Sequence, residues 1–436
     1  MKRICIIGLG YVGLPLACEF ARHGYEVLGI EIDEEKVRKI NKGESTIRGN
    51  EPGLVELLHD ALQSKGFRAT SDFSVCRGAY AVIICTQTPI SMRTKRPDYR
   101  ALRSAVEMAG RNLSRGTLVV VESTIMPGTM QRVVNPLLER VSGLKEGVDF
   151  HLVHVPERVT PGKLIYNLER MPRVIGCRSS KGGEMALELY KTFVKGDIDI
   201  TDWTTAETVK TVENAYRDVQ IALSNEVALI CETLGIDFLR LRDLVNRVPE
   251  RSLHLAGPGV GGACLPKDPW LVISAVKERY TPELIMTARK INDSMPGHVV
   301  NLVKREVKSL GIRRPVIAIL GYAYKEESDD TRNTPAEPIR KELSRLGEVR
   351  VHDPYVEMEF IERDLEKVLR GADILLVVTH HNVYRGITGE KLRGLMRNHV
   401  IITARPVPEE KDFPGFRYVR LGYGKDSARA PRPEKD

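Results

Sequence analysis

Short apolar runs separated by amphipathic stretches open the chain. Arg3–Gly8 is mostly apolar, a glycine turn follows, Leu14–His23 has a helical period, and Glu26–Ile30 is apolar again. Further short runs stand at Ala81–Cys85, Leu118–Glu122 and Leu152–Val155, with helical stretches between them. Strands alternating with helices in this way predict a parallel, doubly wound sheet.

The pattern changes near residue 200. Thr204-Thr205-Ala206-Glu207 has the form of a capping box and opens a long apolar-periodic stretch from Ala206 to Leu234, ended by Gly235. Pro282–Leu310 is also helical in pattern, with a kink expected at Pro296. A second strand–turn–helix pattern starts at Pro315 with Val316-Ile317-Ala318-Ile319-Leu320-Gly321, and continues through Val349–His352 and Ile374–Thr379. Its turn, Gly321-Tyr322-Ala323-Tyr324-Lys325, lacks a three-glycine spacing and predicts no second dinucleotide site. The expected fold is α/β, with two Rossmann-like doubly wound domains (1–199 and 313–423) joined by a helical middle domain (200–312). The charged, Pro-containing end, 424–436, reads as a mobile tail.

Composition narrows the class. A 436-residue chain that is 42% apolar and 28% charged is globular and too long for one ordinary core. No apolar run reaches the roughly 18–20 residues that span a bilayer. The N-terminal run ends in a glycine turn rather than a cleavage site, so a cytoplasmic protein is expected. Cysteines stand at 5, 18, 76, 85, 177, 231 and 264, an odd number without a CxxC pair, which implies neither a disulfide framework nor a zinc knuckle. A net charge of +8 suits an anionic ligand such as a nucleotide diphosphate. Nucleic acid is not expected, because the basic residues are mixed with acidic ones and only 6% of residues are aromatic. The pairs His151/His154 and His380/His381 have no third ligand in view and read as strand-end or loop residues, so no metal is expected.

Gly8-Leu9-Gly10-Tyr11-Val12-Gly13 follows a strand and opens a helix. Gly8 allows the tight turn, Gly10 lets a pyrophosphate approach the backbone, Gly13 lets helix and sheet pack, and the helix N-terminus faces the phosphates. Glu31 ends the second strand where an acid commonly binds ribose hydroxyls, with Asp33 as the competing choice. A carboxylate there repels a 2′-phosphate, so the expected cofactor is NAD rather than NADP. Gln87-Thr88-Pro89 and Glu122-Ser123-Thr124 are strand-end turns whose hydroxyls could line the cofactor crevice, although each could equally be an ordinary turn.

The loop Gly257-Pro258-Gly259-Val260-Gly261-Gly262-Ala263-Cys264-Leu265-Pro266-Lys267-Asp268 frees the backbone to approach a ligand and then presents a thiol. A cation nearby lowers a thiol pKa, so Lys267 makes Cys264 the one cysteine with the surroundings of a nucleophile. Lys210 and Asn214 are four residues apart on one helix face, with Arg217 three further on. An ammonium beside an amide can hold an anion or an alkoxide, although a solvated polar stripe looks the same from spacing.

These motifs, together with Val121-Glu122-Ser123-Thr124, Pro127-Gly128-Thr129, Pro156-Glu157-Arg158 and Asp329-Asp330-Thr331-Arg332, follow one another in an order that resembles the UDP-glucose/GDP-mannose dehydrogenase family over residues 1 to about 410. The resemblance implies that a sugar C6 alcohol loses a hydride to NAD. Cys264 then adds to the aldehyde, the thiohemiacetal loses a second hydride to a second NAD, and the thioester is hydrolysed to the uronic acid. It implies that Lys210 and Asn214 steady the oxyanion, Asp268 handles protons with a bound water, and Glu157 and Thr124 position that water. Tyr11, Val12, Lys36, Thr88 and Arg332 join the glycines and Glu31 at NAD. Arg158, Val159, Arg217, Gly261, Tyr324 and Lys325 join Lys210 and Asn214 at the UDP-sugar. A homodimer or larger assembly built on the middle helices is implied too, with the active site between the two α/β domains.

Val212-Glu213-Asn214-Ala215-Tyr216-Arg217-Asp218-Val219 and Pro156–Gly162 are similar to the branch acting on UDP-N-acetylhexosamines, UDP-N-acetyl-D-mannosamine first among them. The UDP-glucose branch carries a further Glu where Pro161 stands. Two features depart from this. Val248-Pro249-Glu250 replaces a His-Pro-Arg before the cysteine loop, and Leu265-Pro266-Lys267-Asp268 is closer to the UDP-glucose branch. UDP-glucose and UDP-N-acetylglucosamine 6-dehydrogenases are therefore alternatives. A two-electron hydroxy-acid dehydrogenase would need no thiol, and an NAD- or nucleotide-binding module would bind without forming NADH.

Overall fold

The computed structural model describes residues 1–47, 51–91, 93–160, 162–405 and 409–424. Pro161 and tail residues 425–436 lie outside them. The chain divides into two compact units, Met1–Glu213 with Trp270–Thr281, and Asn214–Pro269 with Pro282–Asp436.

The first unit holds β1 (Arg3–Ile7), β2 (Glu26–Ile30), β3 (Phe67–Thr70), β4 (Ala81–Ile84), β5 (Leu118–Val121), β6 (His151–His154), β7 (Arg173–Cys177) and β8 (Ile198–Thr201). They form one sheet in the order β3-β2-β1-β4-β5-β6-β7-β8. The strands are apolar throughout because the sheet is buried on both faces. Ile4 and Ile6 pack with Leu14, Leu16 and Phe20 on one side. Cys5 and Ile7 pack with Val82, Ile84 and Leu102 on the other.

The sheet is parallel from β3 to β6, but β7 pairs antiparallel with β6, and β8 parallel with β7. The strands read from the sequence pair in parallel as expected, and the antiparallel step enters at β7, which the sequence did not announce. The connection 155–172 begins at the end of the sheet where β7 starts, so the chain enters β7 without crossing back.

The second unit carries β9 (Val316–Leu320), β10 (Glu348–His352), β11 (Ile361–Glu362), β12 (Ile374–Val377), β13 (Val400–Thr403) and β14 (Arg417–Arg420). Every pair is parallel, in the order β11-β10-β9-β12-β13-β14. Two Rossmann-like sheets and a helical middle thus make up the chain. In the second unit the middle helices share a core with the sheet: Ala228, Phe238, Met295 and Val299 pack with Ile317, Ile319 and Leu376.

The long helix of the middle runs from Trp203 to Leu234, and Gly235, at φ +72°, ends it. Its start departs from the expected capping box. Asp202 is the cap, accepting from Thr205 N at 3.0 Å and Thr205 Oγ1 at 2.6 Å. Glu207 then stands past the position from which it could reach back to the cap. A helix over Glu283–Leu310 contains Pro296. Gly424, assigned above to the tail, is buried and donates to Ile236 O at 3.0 Å, so the packed chain extends one residue further. Among the described residues no helix is long and apolar enough to cross a membrane.

Candidate active site

β1, β4, β5 and β6 are parallel neighbours, so the segments leaving their carboxyl ends lie along one edge of the sheet. These segments are the glycine turn, Thr86–Thr88, Ser123–Thr124 and Pro156–Thr160. Gly8 has φ +93°, and a Cβ there would stand 3.0 Å from Cys85 O. A Cβ on Gly13 would stand 1.9 Å from Gly8 O, so only glycine lets the Gly13–Arg22 helix start this close to the strand. At Gly10 a Cβ would meet nothing within 4 Å. That open space lies beside a helix whose N-terminus, with Val12 at the cap position, has no side-chain cap. Tyr11 is half-buried against the core of this unit. An uncapped N-terminus beside open space fits a pyrophosphate.

The structure separates Glu31 from Asp33. Asp33 caps the Glu34–Asn41 helix, accepting from Glu35 N at 3.0 Å and Lys36 N at 3.3 Å. Glu31, half-buried at the end of β2, accepts from Leu9 N and Asp33 N, both at 3.3 Å. Glu31 is thus the carboxylate tied to the glycine turn. Lys36 is exposed on the first turn of the capped helix.

Thr88 Oγ1 donates to Thr124 O at 2.5 Å, and Ser123 Oγ to Thr86 O at 2.6 Å, which stitches the two strand-end turns together. The Thr88 hydroxyl proton is therefore committed. Glu122 is buried, accepts from Tyr190 OH at 2.5 Å, and has Arg173 at 3.5 Å. Burial raises its pKa against the pull of that guanidinium. His154 is buried with Nδ1 2.8 Å from Val121 O, and burial lowers its pKa to about 4, which keeps it neutral.

Glu157 accepts the backbone N–H of the half-buried Val159. Arg158 has an occupation the sequence did not suggest: its guanidinium holds Glu213 through Nε at 3.2 Å and a second contact, and Nη1 donates to Pro172 O at 2.7 Å. Lys210 is only 8% exposed, and among the described residues its ammonium has no hydrogen-bond or ion-pair partner. A buried, uncompensated cation is costly unless an anion visits it.

In the second unit the thiol loop is fixed by its neighbours. Gly262 N donates to Arg332 O at 2.7 Å, and Asn333 Nδ2 to Gly262 O at 3.0 Å. Tyr324 lies on Gly261, where a Cβ would stand 2.3 Å from the Tyr324 Cβ. Burial pushes the Tyr324 phenol up to about 12, so it stays protonated. Cys264 is exposed, and its carbonyl accepts from Lys267 N at 2.9 Å and Asp268 N at 2.8 Å. Cys5, Cys18, Cys76 and Cys231 are buried, and burial is the cause that raises the Cys18 thiol to about 12.

The Lys267 ammonium is 2.5 Å from Asp268 Oδ1, so its charge also answers a buried carboxylate. Asn214 Nδ2 donates to the other oxygen, Asp268 Oδ2, at 2.6 Å. Arg217 is exposed on the long helix, and Lys325 is half-buried. Arg332 is exposed and chelates Asp330, with Nε at 2.9 Å and Nη2 at 2.5 Å.

In the turn after β9 the chain supplies its own partner for the backbone amides. Asp353 is buried and accepts from Tyr322 N at 2.7 Å and Ala323 N at 2.9 Å. A carboxylate of the chain thus occupies the amides that a phosphate would need. His381 Nε2 lies 3.1 Å from the same oxygen, and its Nδ1 accepts from Glu327 N at 3.0 Å.

Sequence reading missed Arg405, just past the end of β13. Its guanidinium lies against Gly257, where a Cβ would stand 2.8 Å from Nη1, and among the described residues its Nε has no partner. Burial lowers its pKa. The strand-end rule, applied to the second sheet as it was to the first, could have found it.

A turn shaped for a dinucleotide, in a chain that also presents an exposed thiol, fits an NAD-dependent dehydrogenase. The chain belongs to the UDP-glucose/GDP-mannose dehydrogenase family, whose NAD binding domain matches residues 2–194, central domain 204–294 and UDP binding domain 318–410. It is 41% identical to a UDP-N-acetyl-D-mannosamine dehydrogenase of Pyrococcus horikoshii, over 97% of this chain and 99% of that one. It is 34% identical to an NDP-N-acetyl-D-galactosaminuronic acid dehydrogenase of Ralstonia nicotianae, over 93% and 96%. The solved structure of a UDP-D-ManNAc dehydrogenase from Pyrococcus horikoshii superposes with a TM-score of 0.93 at 40% identity, covering 97% of this chain and all of that one.

Proposed function

We propose that the enzyme oxidises C6 of UDP-N-acetyl-D-mannosamine to the carboxylate, giving UDP-N-acetyl-D-mannosaminuronate, in four electrons through Cys264. The observation that carries the chemistry is the exposure of Cys264 within a pinned glycine loop, four residues from a buried aspartate. The similarity to the Pyrococcus horikoshii enzyme over nearly the whole chain supports the choice of sugar.

NAD, when bound, accepts a hydride from C6 in each of the two oxidations. Gly8, Gly10, Tyr11, Val12 and Gly13 cradle its pyrophosphate, Glu31 takes the ribose hydroxyls, and Lys36, Thr88, Thr124 and Arg332 border it. Lys210, buried and unpaired among the described residues, stabilises the oxyanion together with Asn214. The sulfur of Cys264 forms a bond to the aldehyde carbon, and the oxygen takes a proton. The thiohemiacetal then gives up its hydroxyl proton together with the C6 hydride, and a thioester remains. Water then adds to the thioester carbon, the C–S bond breaks, and the thiol is restored with release of the carboxylate. Asp268 holds and moves the protons of that water, and Glu157 and Thr124 position it. Val159, Arg217, Gly261, Tyr324 and Lys325 contact the UDP-sugar, and the half-buried guanidinium of Arg405 faces its diphosphate. Arg158 acts through Glu213 on the long helix rather than on the sugar directly.

The chain assembles as a homodimer or larger. Tyr216, Leu223, Ile230 and Leu234 make an apolar stripe at 64%, 53%, 49% and 65% exposure along the long helix, which suits a second copy of the same helix. The cytoplasm is the assigned compartment, since a thiol nucleophile needs a reducing environment. Light scattering of the purified protein tests the assembly, and a monomer would refute it.

The test of the reaction is NADH formed per sugar consumed, with UDP-N-acetyl-D-mannosamine, UDP-glucose, UDP-N-acetylglucosamine and GDP-mannose in parallel. Two NADH per UDP-N-acetyl-D-mannosamine is expected. One or none refutes the thiol scheme. Faster turnover of UDP-glucose, whose branch Leu265–Asp268 resembles, refutes the sugar.

A further inference from the structure

The long helix grips the thiol loop at both ends. Asn214, Asp218 and Asn225 follow at spacings of four and seven residues, which places them on one face. Asn214 holds Asp268, just after the loop, at 2.6 Å. Asn225 Oδ1 accepts the N–H of Gly257, where the glycine segment begins, at 2.9 Å. Cys264 lies between these two anchors.

Asn225 is fully buried, and its orientation is dictated from deeper in the core. Arg289 Nη1 donates to Asp218 Oδ1 at 2.6 Å, and both residues are buried. An ionised Asp218 can only accept, so Asn292 must turn its Nδ2 toward it, and does so at 2.9 Å to both Oδ1 and the backbone O. That leaves Asn292 Oδ1 as the acceptor for Asn225 Nδ2, at 2.9 Å. Asn225 Oδ1 is then free to meet Gly257 N. Each amide has one permitted orientation, and the series ends on the loop that carries the sulfur. A buried ion pair contributes little net stability, but it fixes the direction of every donor that depends on it.

The geometry points to Asn225, oriented through Asn292 by the Asp218–Arg289 pair, as a positioning residue that sets where the Cys264 thiol stands. The inference rests on the proposed reaction for its kinetic consequence, but not for its effect on the thiol itself. Glycines 257, 259, 261 and 262 leave the segment without stiffness of its own, so the register of Cys264 depends on its pins.

Two variants test it. Asn225→Ala leaves Gly257 N without its acceptor. Alkylation of Cys264 by iodoacetamide should change by roughly tenfold, as one hydrogen bond's worth of loop order is lost. With UDP-N-acetyl-D-mannosamine, NADH per sugar should fall below two as aldehyde escapes, while the KM for NAD stays unchanged. Asn225→Asp keeps an acceptor for Gly257 but offers Asn292 Oδ1 a donor only when protonated. Its turnover relative to wild type should therefore fall as pH rises, a profile that Asn225→Ala does not share. The inference is overturned if Asn225→Ala alkylates at the wild-type rate and gives two NADH per sugar. It is also overturned if both variants lose melting temperature and NAD affinity together, independent of pH. Cys264→Ser is the control for the reaction: if it turns over normally the proposed chemistry fails, and the alkylation rates still decide the positioning claim.

Discussion

Replacing Gly10 with alanine separates the two tasks of the glycine turn. A Cβ at Gly10 meets nothing within 4 Å, so the protein without cofactor has no contact to lose. Gly10 also lies outside the positive-φ glycines, and the substitution reduces the freedom of the unfolded chain, a gain of ~0.4–1 kcal/mol. Gly13→Ala is the contrast, because its Cβ would stand 1.9 Å from Gly8 O and the turn must open, at ~1–3 kcal/mol or more. If a pyrophosphate fills the space over Gly10, a methyl there separates it from the first amides of the helix. One charge-assisted hydrogen bond lost is ~1.5–3 kcal/mol, or roughly 10- to 100-fold in affinity. Calorimetric titration with NAD and thermal melting of the two variants and wild type make the assay. Gly10→Ala should melt at or above the wild-type temperature and bind NAD at least tenfold more weakly, whereas Gly13→Ala should melt lower. Unchanged NAD affinity in Gly10→Ala would refute the reasoning.

Three further outcomes follow from single carboxylates. Glu207 accepts from Gly128 N at 2.5 Å and Met130 N at 2.7 Å, and burial pushes its pKa from 4.5 to about 7. A raised carboxyl pKa favours the protonated form in the fold. About 3 kcal/mol of stability is therefore present below the unfolded pKa and lost as pH rises through the folded one. Glu207→Gln should flatten the urea midpoint between those two pKa values, and an unaltered slope would refute this. Asp353→Ala strands the N–H groups of Tyr322 and Ala323, costing ~2–5 kcal/mol, and should raise the KM for the UDP-sugar far more than that for NAD; equal rises would contradict it. Glu31→Ala removes the charge that repels a 2′-phosphate and should raise NADP use relative to NAD at least ~tenfold; a fixed ratio would exclude Glu31 as the discriminating acid.

Local features were legible in the sequence, and partnerships across the fold were not. The glycine turn announced itself through spacing, and the strands through runs of β-branched residues, because both depend on neighbours within a few positions. The start of the long helix misled for the same reason: Glu207 had the spacing of a capping box, yet its carboxylate went to Gly128 and Met130, some eighty residues earlier. The ion pair of Lys267 with the buried Asp268 needed the fold to show it. Nothing near Arg158 in the sequence announced its ion pair with Glu213, fifty-five residues on. The reversal of β7 had no local signature, since strand direction is set by the path of the connection. Glu31 and Asp33 could be told apart only once one of them capped a helix.

The most direct test is the mass of the peptide that contains Cys264, taken from enzyme quenched in acid during turnover with UDP-N-acetyl-D-mannosamine and NAD. Covalent attachment of the sugar nucleotide to that sulfur, and its absence in Cys264→Ser, is the predicted result. Two NADH per sugar with the Cys264 peptide never modified, or with the adduct on another residue, would contradict it.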